Sequence, residues 1–265
     1  MPLPSRLMDI YIEHQSIMTI KNKLLLSCSL IGLLLLNTDT PLLAQSMIKD
    51  KKVDHSIHVA GAMSNVMQKG DLSNTINIDT IADKQYLCGL GPLENLSGEI
   101  LILDGKGYKS TVVNEHEMQV TSTWSMKAPF FVYTHVEHWQ DVFLPDSITA
   151  LPQLEHFIDQ ITQKFPRPFC FRVMAKVDSA AIHVVNLPAG TKVCTPEQAH
   201  TAGQEYILRN QTVTLIGFFS TEHQGIFTHH DSFVHIHLIT EDRKQMGHLD
   251  SIKFKKGTRL LLPIL

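Results

Sequence analysis

The sequence predicts an α+β protein of two packed domains: a mixed β-sheet with helices, followed by a strand-rich antiparallel sheet or open barrel. Three observations carry that expectation. The 265 residues are 43% hydrophobic and 18% charged, ordinary for a globular chain with a sizeable core. Apolar residues recur at helical spacing in two stretches, both before residue 165, whereas the chain from Phe169 onward alternates as half-buried strands do. Near the end, Phe233 to His248 reads FVHIHLITEDRKQMGH, a strand, a polar turn and a return.

At the N-terminus, Lys21 and Lys23 precede the apolar run Leu24 to Leu36, and Leu42-Leu43-Ala44 resembles a cleavage site before Gln45. The run is shorter than the roughly 20 residues a membrane span needs. Residues 1–44 are therefore expected to be a signal peptide, with Met18 as an alternative start, and the protein to be exported to a periplasm or beyond. An uncleaved anchor or a buried helix is the competing reading. Removal of the signal leaves Cys88, Cys170 and Cys194, enough for one intramolecular disulfide and without zinc-finger spacing. A net charge of -3 and a pI near 6.6 give no electrostatic case for nucleic acid or an anionic membrane.

Residues 45–57 are polar and lysine-rich, a flexible lead-in to a first domain over 58–165 and a second over 166–265. Val59, Ala62, Met63, Val66 and Met67 follow helical spacing, stopped by Gly70-Asp71. Ile76 to Ile81 fits a strand or a short helix. Asp104-Gly105 signals a hairpin between the strand Glu99 to Leu103 and one beginning at Tyr108. Strands are expected again at Met118 to Trp124 and Phe130 to His135. Leu151, Leu154, Ile158 and Ile161 mark a helix with Pro152 in its first turn, a natural place for one sheet to give way to another. Beyond it come strands at Phe169 to Val177, Ala180 to Leu187, Tyr206 to Arg209 and Val213 to Phe219, and an apolar end from Leu260.

The chemistry concentrates in the last hairpin. Alternation places His235 and His237 on one strand face, and a turn centred between Asp242 and Arg243 brings His248 opposite His237. Cross-strand Cβ atoms are about 5 Å apart, so three imidazoles can converge on one cation. Three histidines with an open fourth position is how catalytic zinc is often held. His223, His229 and His230 are close in sequence, but no geometric argument selects them. Glu99 heads an otherwise apolar strand, so its carboxylate lies either at a solvent edge or in a site.

The segment LIGFFSTEHQGIFTHHDSFVHIHLITEDRKQMGHLDSIKF resembles the C-terminal signature of α-acetolactate decarboxylases, and GLGPLENLSGEILILDGKGY resembles an upstream segment of that family. Ala128-Pro129-Phe130 and the order of the later elements extend the likeness from about Val59 to Phe254. The resemblance implies a zinc site of His235, His237 and His248 with Glu99 beside it. It also implies conversion of a small 2-hydroxy-3-keto acid, 2-acetolactate, into acetoin and carbon dioxide. Such a reaction sends an electron pair into a neighbouring ketone, where a dication stabilises the charge and Glu99 can return a proton.

Two positions depart from the family pattern. His183 stands where the family carries an arginine for the substrate carboxylate, while Arg172 falls at another position, and the tail after Asp250 has no carboxylate to match a family glutamate. A zinc-binding protein without turnover, or with another substrate, is the alternative these departures motivate. A cupin-like metalloenzyme using Glu241 is a further one, although few residues follow His248 to supply the second motif that fold needs. Homodimerisation stays open.

Overall fold

The computed structural model describes residues 53–188, 190–191 and 202–265. The expected signal segment, most of the lead-in and Cys194 lie outside them. No helix among the described residues is long and apolar enough to cross a membrane.

The chain opens with β1 (His58–Ala60), α1 (Met63–Lys69) and β2 (Ile76–Asn77). The helix begins later than the spacing from Val59 predicts, because Val59 and Ala60 pair with Val132 and Phe131 of a later strand. Gly70 ends α1 at φ 66, a left-handed cap that glycine adopts without a Cβ clash. A 3-10 turn over Ile78–Thr80 follows β2, so the segment from Ile76 is part strand and part turn. Just before β1, the His55 Nδ1–H donates to the His135 carbonyl at 2.9 Å.

Next come β3 (Leu87–Pro92), β4 (Glu99–Leu103), β5 (Lys106–Asn114), β6 (Glu117–Ser122), β7 (Lys127–Ala128) and β8 (Phe131–His135). They form a six-stranded sheet in the order β1-β8-β3-β4-β5-β6, with β2 and β7 as a separate ladder. Every pairing between the strands of this sheet, expected to mix directions, is antiparallel. Between β4 and β5, and between β5 and β6, tight turns impose this. Asp104 and Gly105 take φ 48 and 72, the two left-handed residues a two-residue hairpin requires.

The second sheet has seven strands, built from β9 (Trp139–Phe143), β10 (Phe169–Val185), β11 (Gly203–Arg209), β12 (Thr212–Phe219), β13 (Val234–Thr240), β14 (Met246–Phe254) and β15 (Arg259–Pro263). Helix α2 (Leu151–Ile161) lies between β9 and β10 in sequence. The switch between sheets thus falls before α2, since β9 already pairs with β15. Two strands expected separately, Phe169 to Val177 and Ala180 to Leu187, are one 17-residue strand with an irregularity after Val177. The first half of β10 pairs with β12 and the second with β14, while β13 joins β12 to β14, so the pairings close on themselves like a small barrel.

Packing fixes which way the histidines face. Val234, Ile236 and Leu238 enter the main core with Leu154, Ile158 and Val173. On the other side, Ile239 and Met246 meet Leu90 and Leu101 of the first sheet along the seam between the two. Burying one such aliphatic side chain is worth about 1.5–3 kcal/mol, and a one-residue slip of β13 would turn the whole set outward. The histidines between them are thereby held at the seam.

Candidate metal centre

His237 pairs directly with His248 across the β13–β14 hairpin, and Leu238 pairs with Gly247. The turn spans Thr240 to Gln245, with Arg243 at φ 60. One ring nitrogen from each of His235, His237 and His248 lies within 4.8 Å of the others, and all three residues are buried. Gly247 permits the close approach of β14 to β10: a Cβ there would lie 2.5 Å from the His183 carbonyl oxygen. Gly247→Ala is expected to lower stability by about 1–3 kcal/mol through this backbone clash, read as a drop in the urea midpoint; an unchanged midpoint would mean the strand yields freely.

The ring nitrogens tell which atoms are available. His237 Nδ1–H donates to the Ile100 carbonyl at 2.9 Å, which turns its Nε2 toward the other two rings. That Nε2 and the Nδ1 of His235 are buried and make no hydrogen bond. Two orphaned imidazole nitrogens side by side are what a bound cation satisfies. Burial pushes all three pKa values down, that of His237 to about 3, so the rings are neutral and present lone pairs. The residues fit a metal ion.

Glu99 reaches the same place from the first sheet. It is 3% exposed, its Oε1 accepts the Val185 N–H at 3.2 Å, and its Oε2 lies 3.5 Å from His237 Nε2. Burial raises its carboxyl to about 8, against the pull of His183 and the Val185 N–H. Of the two placements open to Glu99, the structure therefore has the carboxylate in the site.

His183 pairs across the strands with His248, their ring centroids 4.8 Å apart. Its Nδ1 is 2.7 Å from Asp250 Oδ1. Burial works to lower the His183 pKa, but Asp250 and Glu99 outweigh it and the net shift is upward. The β10–β14 register skips Asp250 between Ala181 and Ile182, an irregularity of the kind that re-aims a side chain. His229, from the loop before β13, is a residue without a sequence signal: its Nε2 lies 3.2 Å from that of His248.

A cavity of about 70 Å³ adjoins this group, with Met63, Leu96 and Phe130 as its apolar wall and Glu99, His183 and His229 among its polar groups. A larger cavity of about 760 Å³ is lined by His55, His135 and Leu265 and contains none of the three convergent histidines, so the chemistry favours the smaller one. Arg172 is elsewhere, ion-paired with Asp104 and stacked 4.5 Å from the Trp139 ring. The C-terminal Pro263 and Leu265 border the larger cavity rather than the histidines.

A family model described as alpha-acetolactate decarboxylase matches residues 57–261. The chain belongs to the alpha-acetolactate decarboxylase family. It is 27% identical over 177 residues to the alpha-acetolactate decarboxylase of Methanosarcina mazei, covering 65% of this chain and 58% of that one. It is 24% identical over 185 residues to the enzyme of Brevibacillus brevis, covering 66% and 59%. The chain thus spans about six-tenths of the length of these two relatives. The crystal structure of alpha-acetolactate decarboxylase from Bacillus subtilis strain 168 matches with a TM-score of 0.62 over 79% of this chain and 86% of that one, at 17% identity, which establishes a shared fold. In this decarboxylase-family chain, His183 lines the small cavity with Asp250 at its Nδ1.

Proposed function

We propose that this chain is an exported zinc-dependent carbon–carbon lyase that converts 2-acetolactate into acetoin and carbon dioxide. The observation that carries the reading is the pair of orphaned ring nitrogens on His235 and His237 beside the buried Glu99. His235, His237 and His248 would hold the metal, which when bound supplies a Lewis acid for the negative charge that builds as carbon dioxide leaves. Glu99 is kept in place by the Val185 N–H, and in the metal-free site burial favours its protonated form. It can therefore deliver that proton to the carbon from which carbon dioxide departs. His183, its Nδ1 2.7 Å from Asp250 Oδ1, faces the cavity where a substrate carboxylate would sit, although one ring donor lacks the two-pronged grip of a guanidinium. Met63, Leu96 and Phe130 keep water from the apolar side.

The layout of residues 21–45 supports export as part of the same reading. Purified protein carrying about one zinc per chain, incubated with racemic acetolactate, should release acetoin faster than the spontaneous reaction. Full zinc occupancy without excess acetoin would replace this reading with that of a zinc-binding protein lacking turnover.

A further inference from the structure

We propose that His229 is a fourth ligand of the metal, closing the position that a substrate must open. The inference rests on the metal reading of the three-histidine site. It starts from the 3.2 Å between the Nε2 atoms of His229 and His248. Two nitrogens bound to one tetrahedral zinc, with bonds of about 2.0–2.1 Å, are about 3.3 Å apart. In the metal-free protein the same separation makes an N–H···N hydrogen bond, with one ring donating. A metal cannot bind His248 Nε2 and leave that hydrogen bond intact, because both use the same ring position. His229 must then share the ion or move away.

The surrounding structure favours sharing. His235, His237 and His248 all come from strands, so they approach from the sheet, whereas His229 comes from the loop before β13. That loop is tied down: Met63 N–H donates to the Ile226 carbonyl at 2.7 Å and Ser64 N–H to the Gly225 carbonyl at 2.8 Å. His229 also stands edge-on to His235, ring centroids 6.1 Å apart, so it faces two of the three strand histidines. Its place on the cavity wall means that a ligand of the metal entering there would have to displace it. The loop thus gates the site through one side chain.

The full-length protein, stripped with chelator and reloaded with cobalt(II), tests this. Wild type should show the intense visible absorption of four-coordinate cobalt and should not respond to azide. His229→Ala should bind cobalt at least about tenfold more weakly, the low end of what loss of even an outer partner costs, and its spectrum should shift on adding azide. His230→Ala, at the exposed neighbour, should match wild type. A His229→Ala protein identical to wild type in affinity, spectrum and azide response would overturn the proposal, as would a wild-type spectrum that azide shifts. If His235→Ala loses cobalt while His229→Ala is unchanged, only the role of His229 falls. If wild type takes up no cobalt, the metal reading fails and this proposal fails with it.

Discussion

His237→Ala should empty the metal centre and abolish acetoin formation. The side chain is fully buried, its Nδ1 is anchored on the Ile100 carbonyl, and its Nε2 has no hydrogen-bond partner. Losing an outer-sphere partner typically weakens metal binding by about 10–100-fold, and removal of a ligand itself should exceed that range. The variant is therefore expected to lose its zinc on dialysis and to behave like chelator-treated wild type. Metal analysis and the acetoin assay on the same sample check it, with thermal unfolding to verify that the protein remains folded. Equimolar zinc after dialysis in a folded variant would remove His237 from the ligand set.

Glu99→Gln should separate metal binding from turnover. The amide keeps the size of the side chain and an oxygen to accept the Val185 N–H, so the β4 end of the site should hold its shape. What disappears is the carboxyl proton, whose loss burial disfavours. Loss of a general acid typically lowers rate by about 10²–10⁴-fold. The expected result is a full zinc content with kcat reduced by that factor and little change in KM. Undiminished kcat would exclude Glu99 from the chemistry, and loss of zinc would make it a ligand instead.

Much of the centre could be read from local pattern because strand periodicity is a local property. The i, i+2 spacing of His235 and His237 set them on one face, and the length of the turn through Asp242 and Arg243 brought His248 opposite His237. The α2 helix and most strands were equally legible. Reading failed where a distant partner decides. Val59 became strand because β8 offers it a ladder, and β10 stayed continuous because four other strands pair along it.

By itself, then, the sequence determined three histidines able to converge, the faces they leave from and the apolar neighbours that hold them inward. Only the tertiary structure decided that Glu99 meets His237 across the seam, that β14 pairs beside β10 and so sets Asp250 at His183, and that a loop delivers His229 to His248. The physical reason is one of range. Backbone periodicity dictates on which side of a strand a side chain emerges, but which strands face one another follows from burying Leu90, Leu101, Ile239 and Met246 together, a non-local choice that no short window of residues contains.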